Sequence, residues 1–368
     1  MNKTTLIIDG NWLLMSRVSV MLDKFDIKCT DDELKQSRDI LIDLMAQSVH
    51  KIVNVLTFND NNIIDNVIMV QDGGSWRKTL PLPVLYQEDT YKGQRTKSEN
   101  INWNYIWQAH DEFFTKCKEQ GMAVFKAFSV EGDDWCWYWT NKLGKQGINT
   151  IVWSTDADLK QLVKFHESSA WTVWFNERNG LCYPKKVLSE LDMFMLDINS
   201  QDFQLENIIG SLSNMGYLVT EIQGEDVVMY KNICGDISDN IKPILRLKQG
   251  ARTIKVSEKE WLIVKEALNI QTLNDFYTNQ DDILMELKAL KRFKKNIDSF
   301  EDLKEVFEYN KRMVYLHESS YPSEILEVFE EQKDLYCIFS LEDFKNNYNI
   351  LSPLKPVDEM ELFDGIEW

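Results

Sequence analysis

The chain has 368 residues, 44% of them hydrophobic and 27% charged, and its 59 Asp and Glu against 41 Lys and Arg give a net charge of −18. This length accommodates two or three domains with sizeable cores, and the composition excludes a disordered or fibrous chain. The apolar run in MNKTTLIID is far shorter than a signal-peptide core, and no stretch nears the roughly 20 apolar residues of a membrane span, so a soluble cytoplasmic protein without membrane partners is expected.

In chain order, TLIID (5–9) and NVIMVQD (66–72) read as strands joined by one long helix. Thr30 with Glu33 forms a capping-box pattern, after which Leu41, Leu44, Met45, Ile52, Val55 and Leu56 recur at helical spacing. An insertion of about residues 73–121 follows, polar, basic and Pro-containing in its first half and an aromatic-rich helix from about Trp103. MAVFKAF (122–128) and INTIVWS (148–154) are further strands, with the Trp-rich segment WCWYWTNKL between them. Repeated strand–helix–strand order predicts an α/β class with a twisted, mainly parallel sheet and right-handed crossovers. WTVWF (171–175) and LCYP, joined by NERNG, read as a hairpin because Asn-Gly closes it. Beyond residue 186 the chain reads as mostly helical apart from a TIKVS strand. The expected division is therefore 1–200, 201–352 and an acidic tail, 353–368.

Nine acids carry the chemistry: Asp9, Asp72, Glu131, Asp133, Asp134, Asp156, Asp158, Asp236 and Asp239. Most follow short apolar runs, in LIID, NVIMVQD, FSVEGDD and VWSTDAD, and the last pair sits in CGDISDN. A parallel sheet delivers the C-terminal ends of its strands to one edge, where such acids converge and repel. Hard divalent ions, Mg²⁺ or Mn²⁺, relieve that repulsion and suit phosphodiester hydrolysis. Singly, each Asp also reads as a turn or helix cap, Asp133, Asp134 and Asp239 above all. Zinc is disfavoured, since Cys29, Cys117, Cys136, Cys182, Cys234 and Cys337 form no C-x-x-C pair and His is scarce. The acidic total disfavours nucleic acid, yet basic residues are bunched at Arg77, Lys78, Lys92, Arg95 and Lys97, from Lys242 to Lys255, and from Lys288 to Lys295. Such bunching permits basic tracks on an acidic body, although each run also reads as a solvated face.

LIIDGNWLL, VQDGGSWRK, TYKGQR, VEGDD, WSTDADLKQLV and CGDISDNI, over residues 5–245, occur in the order of the 5′-nuclease family. This family includes flap endonucleases and the 5′–3′ exonuclease domain of bacterial DNA polymerase I, and the likeness is nearest to phage members of the T-even ribonuclease H type. The resemblance implies a PIN-like catalytic domain, an arch within 73–121, and a helical domain with a helix-three-turn-helix DNA-binding element. It implies two Mg²⁺ ions, replaceable by Mn²⁺, one held by Asp9, Asp72, Glu131 and Asp133 with Asp134 close by, the other by Asp156, Asp158, Asp236 and Asp239. Lys92 and Arg95 then meet the scissile phosphate and Tyr91 stacks on a base, with Asp9, Asp72 and Asp156 central to catalysis. Arg77, Lys242, Arg246, Lys248 and Arg252 are candidate nucleic-acid contacts, and Trp76 reads equally as core. The chain departs from the family after CGDISDNI, where Gly250 alone stands in place of a Gly-rich hairpin, and around 187–222, which resembles an insertion.

The implied function is removal of RNA primers and 5′ flaps by a monomer acting on DNA and RNA–DNA duplexes, in the host cytoplasm if phage-encoded. Two other readings stand beside it: a PIN-like ribonuclease acting on single-stranded RNA, and a non-catalytic scaffold for branched DNA. Met360, Leu362, Phe363, Ile366 and Trp368 in the tail suggest a peptide for a sliding clamp, and a single-stranded DNA-binding protein is a further candidate partner. The alternative is that Phe363 and Trp368 fold back onto the helical domain.

Overall fold

The computed structural model describes residues 3–24, 30–57, 63–86, 91–94, 101–185, 200–249, 252–296 and 298–337. Arg95, the tail 353–368 and the first part of the 187–222 segment lie outside them. The described residues divide into two compact units, one from 3–74, 101–222 and 327–337, the other from 75–94 and 223–326.

The first unit is built on a sheet of β1 (Thr4–Asp9), β2 (Asn66–Val70), β3 (Ala123–Phe125), β4 (Asn149–Trp153), β5 (Lys164–Phe165), β6 (Trp171–Asn176), β7 (Gly180–Pro184) and β8 (Val219–Ile222). The order is β3-β2-β1-β4-β6-β7-β8, with β5 antiparallel to β6. All pairs along that order are parallel except the predicted hairpin β6–β7. β1 lies between β2 and β4 and is buried along its length, which explains its unbroken apolar run. Helices α1 (Gly10–Lys24), α2 (Asp31–Gln36), α3 (Arg38–Val55), α4 (Trp103–Glu119), α5 (Gly132–Lys145) and α6 (Ser200–Asn214) belong to this unit. Leu6 and Ile8 of β1 share a core with Leu44, Met45 and Val49 of α3 and Phe113 of α4. The Trp-rich segment is the buried helix α5, whose Trp139 ring lies 4.5 Å from Phe125 and whose Trp135 lies 4.9 Å from Phe329.

The structure departs from two expectations. The single long helix between the first two strands is three helices: α1 starts directly after Asp9, and α2 stops at Ser37. Thr30 does cap α2 by accepting from Glu33 N, but the Ser37 hydroxyl donates to Glu33 O and competes with the backbone ladder before α3 begins. The α/β pattern also continues past 186, because β8 pairs in parallel with β7, Leu181 opposite Val219. VTEI carries little strand signal because it is a half-exposed edge strand with two charged or hydroxyl residues.

The second unit is mainly helical, with α7 (Glu225–Cys234), α8 (Glu258–Ala267), α9 (Leu273–Thr278), α10 (Gln280–Ala289) and α11 (Phe300–Val314), while α12 (Ser323–Gln332) follows at its boundary. Its core gathers Tyr86, Met229, Ile233, Trp261, Phe276, Leu284 and Phe307. The expected TIKVS strand is part of a hairpin, β9 (Arg246–Gln249) with β10 (Arg252–Lys255), in which Arg246 faces Lys255. Among the described residues no helix is long and apolar enough to cross a membrane.

Candidate metal centre and nucleic-acid interface

Adjacent parallel strands bring the acids of the first unit to one edge. Asp9 ends β1 in register with Val70 of β2, while Ile8 pairs with Trp153 of β4, so Ser154 follows level with Asp9 and Asp72 two residues beyond it. Asp9 is 5% exposed, with Oδ1 accepting from Trp12 N at 3.0 Å and Oδ2 from Ser154 Oγ at 2.7 Å. Asp72 takes Gly132 N on Oδ1 at 2.6 Å, and its own N–H donates to Asn11 Oδ1 at 3.1 Å. A Cβ on Gly132 would stand 3.1 Å from Asp72 Oδ1, so glycine lets the N-terminus of α5 come close to Asp72. That helix end carries partial positive charge and favours anions.

Burial pushes the Asp9 carboxyl up to about 7; the charges of Asp72 and Asp156 add to the rise, against the hydrogen bonds from Trp12 and Ser154. Burial likewise raises the neighbouring Cys136 thiol, with Asp9, Asp133, Asp156 and Asp72 contributing. The charges of Asp72 and Asp156 thus bear on both Asp9 and Cys136. A buried carboxylate with like charges beside it is stabilised by a cation. The oxygen-only donor set suits Mg²⁺, Mn²⁺ or Ca²⁺ rather than zinc, and on both grounds the residues fit a divalent ion.

The remaining acids divide by role. Glu131 is the buried N-cap residue of α5, and its N–H donates to Oδ2 of the fully buried Asp134 at 3.0 Å. Asp134 thus caps the helix, the plainer of its two readings. Asp156 caps the 3-10 turn Ala157–Leu162 by accepting from Asp158 N at 2.9 Å, and its own N–H donates to Ser154 Oγ at 3.0 Å.

In the second unit Gly235 ends α7 and leads into a loop closed by paired backbone bonds between Asp236 and Ile241, 2.8 and 2.7 Å. Asp236 bonds Lys231 Nζ at 2.5 Å and Ser238 N and Oγ at 2.8 and 2.6 Å. Burial alone would raise its carboxyl, but Lys231 and Ser238 outweigh it and hold the group below the ordinary range. One oxygen of Asp236 and one of Asp239 lie within 4.8 Å of each other. Asp239 accepts from Tyr91 OH at 3.1 Å, its carbonyl from Lys92 N at 2.9 Å, and Lys92 Nζ stands 3.9 Å from its carboxylate. TYKGQR and CGDISDN, far apart in sequence, therefore meet.

Two candidate contacts are placed differently from expectation. Tyr91 is 6% exposed, so its face is covered rather than open to a base. Arg77 is 3% exposed, with Nε bonding Met313 O at 3.1 Å and the guanidinium 4.7 Å from the Trp76 ring, a placement that clamps the unit internally. Lys242 Nζ bonds Asn240 Oδ1 at 3.1 Å, and the Arg246 guanidinium bonds Leu85 O. Lys248 and Arg252 lie on β9 and β10, and their side chains fall outside the described residues. Ser154, Asn11, Gly132 and Lys231, the polar partners of the acids, were not singled out by sequence; Ser154 inside WSTDAD and Asn11 after IIDG carried the available signal.

No protein-family model matches the chain. A protein of Mycoplasmopsis pulmonis (strain UAB CTIP) named 5′–3′ exonuclease is 28% identical over 250 residues, 68% of this chain. The match spans 65% of the length of that relative. The crystal structure of the T5 D15 protein co-crystallised with metal ions has the same fold, with a TM-score of 0.51 and 15% identity over 90% of this chain and 98% of that one. A pseudo-enzyme-product complex of the bacteriophage T5 D15 flap endonuclease with DNA and metal ions superposes at a TM-score of 0.49, with 15% identity over 96% of this chain and 100% of that one. The chain is thus similar in sequence to a 5′–3′ exonuclease and shares the fold of the T5 D15 protein.

Proposed function

We propose that this chain is a divalent-metal-dependent, structure-specific 5′-nuclease that removes RNA primers and 5′ flaps from duplex substrates. The observation that carries the reading is the buried Asp9 carboxylate, which feels the charges of Asp72 and Asp156 at the C-terminal edge of a parallel sheet. The 5′–3′ exonuclease relative supports the same chemistry. Asp9, Asp72, Glu131, Asp133, Asp156 and Asp158 in the first unit, and Asp236 and Asp239 in the second, are the oxygen donors for two Mg²⁺ ions, with Mn²⁺ as a substitute. Bound divalent ions supply an activated water and stabilise the leaving oxygen of an in-line displacement.

The protein's own residues prepare for this. Trp12 N and Ser154 orient Asp9, Gly132 N and the α5 terminus orient Asp72, and Lys92 offers a cation toward a scissile phosphate, with Arg95 as its companion. The loop after α7 and the β9–β10 hairpin form the duplex-binding element of helix-three-turn-helix type, where Lys242, Arg246, Lys248 and Arg252 replace the missing glycine-rich nest. The monomeric state and a clamp as partner of the tail 353–368 belong to this reading.

Incubating the protein with 5′- and 3′-labelled flap, nicked and RNA-primed duplexes, with Mg²⁺ and with EDTA, tests the reading. Mg²⁺-dependent products sized from the 5′ end support it. Cleavage confined to single-stranded RNA, or none, would replace it with the PIN-like ribonuclease or the scaffold.

A further inference from the structure

Phe128 is 88% exposed, more than any other large hydrophobic among the described residues. It sits between β3 and α5, three residues before Glu131, in a loop zipped to the residues that follow Asp72. Gly73 N donates to Val130 O at 2.8 Å and Ser129 N to Gly73 O at 3.1 Å. The approach is so close that a Cβ on Gly73 would fall 1.7 Å from Ala127 O. Val130 N closes the turn onto Ala127 O at 3.3 Å, with Ser129 at φ 63°, a conformation L residues rarely adopt. The flanking Phe125 and Val130 are fully buried, so the ring of Phe128 at the turn's outer corner is not required by the core.

We propose that Phe128 is a stacking platform for a nucleobase of the substrate held at the acid edge, a substrate-binding role that rests on the nuclease reading above. Its surroundings favour a base over a protein partner. The adjacent Lys126, Ser129, Asp72 and Gly74 are polar or small and lie at or near the surface, whereas a protein interface needs a contiguous apolar patch. A lone ring next to carboxylates can accept the π-face of any base without reading its identity, while the acids themselves repel phosphate. A rigid turn tied to Gly73 holds the ring at a fixed place relative to Asp72 and Glu131.

The test uses the full chain and a 5′-flap duplex with 2-aminopurine next to the junction, bound in EDTA so that no cleavage occurs. Phe128→Ala should weaken binding about tenfold to a hundredfold, as loss of one base stack does, and should abolish the fluorescence change at 2-aminopurine. Phe128→Trp should retain both. The slope of affinity against salt should not move, since no charge is lost. Melting temperature should stay put, because the side chain is exposed. Wild-type affinity and fluorescence in Phe128→Ala would overturn the inference and leave the nuclease reading intact. A wild-type protein that shows the stacking signal but cuts no substrate in Mg²⁺ would sink the nuclease reading and confirm the platform alone. A Phe128→Ala defect seen only with a second protein present would assign the ring to a protein partner and overturn the proposal.

Discussion

Ser154 Oγ donates to Asp9 Oδ2 at 2.7 Å while accepting from Asp156 N at 3.0 Å, so one hydroxyl links an acid at the end of β1 to an acid just after β4. Ligand orientation of this kind typically accounts for about 10- to 100-fold in metal affinity. Ser154→Ala should therefore raise the Mg²⁺ concentration for half-maximal cleavage about tenfold or more, with little change in melting temperature. A Mg²⁺ titration of initial rates checks this, and an unmoved midpoint would show that Ser154 does not orient Asp9.

Asp9 should destabilise the metal-free protein. Its folded pKa of about 7 lies above the ordinary 3.8, chiefly through burial, so the native state keeps a proton that the unfolded chain releases in between. The group's stabilising contribution is full below the unfolded value and is lost as pH rises through the folded one. In EDTA at pH 8, Asp9→Asn should melt above wild type by about 2–8 °C, and the gap should shrink at pH 5. Mg²⁺ should narrow the gap by stabilising only the wild type, while cleavage by the variant falls by orders of magnitude. Thermal melts at both pH values, with and without Mg²⁺, supply the comparison.

His110 gives a pH dependence of opposite sign. Its Nε2 stands 3.1 Å from Gly10 O and its Nδ1 3.0 Å from Gln71 Nε2, so the neutral ring with hydrogen on Nε2 satisfies both partners. Burial lowers its pKa to about 4, below the ordinary 6.5. Stability from this neutral ring is full above 6.5 and drains away as pH falls through about 4, because the unfolded chain binds the proton first. The urea midpoint of wild type should fall across that window more steeply than that of His110→Asn. His166, also lowered to about 4 by burial, keeps part of the slope in the variant. Equal slopes in the two proteins would exclude His110 as a source.

Lys92 adopts a left-handed conformation at φ 53°, with its ammonium over the Tyr91 ring and near Asp239. Under the nuclease reading its charge is needed when the phosphodiester is cut. Lys92→Ala should slow single-turnover cleavage by about 100-fold and alter affinity far less. Lys92→Arg should recover part of the rate. Binding and single-turnover assays on one flap substrate separate the two effects, and a loss confined to affinity would make Lys92 an ordinary phosphate contact.

The central strands and their terminal acids were legible because burial on both faces writes an unbroken apolar run into β1, β2 and β4, and a single Asp after such a run has few places to go. The hairpin at Asn179 and Gly180 was legible from its turn chemistry, with Gly180 at φ 79°. β8 was not, since VTEI lies half exposed at a sheet edge and presents no apolar alternation. Nor was the fate of Arg77 and Tyr91: a basic or aromatic residue in a polar loop looks solvent-facing until the partner, Met313 O or Asp239, arrives from more than a hundred residues downstream. Phe128 was hidden in the opposite way. MAVFKAF reads as a strand to its end, whereas β3 stops at Phe125 and the turn held by Gly73 sends the last ring outward.

The position of β1 between β2 and β4 also bears on when the protein can first act during its synthesis. Asp9 is made long before its β4 neighbour, which pairs Ile8 with Trp153 across a long loop whose closure is entropically costly and slow. An emerging chain that ends before β4 holds Asp9 and Asp72 without Ser154 or Asp156. The acid edge of the first unit is thus assembled only once β4 has been made, so on the nuclease reading proposed above no shorter chain carries that edge complete.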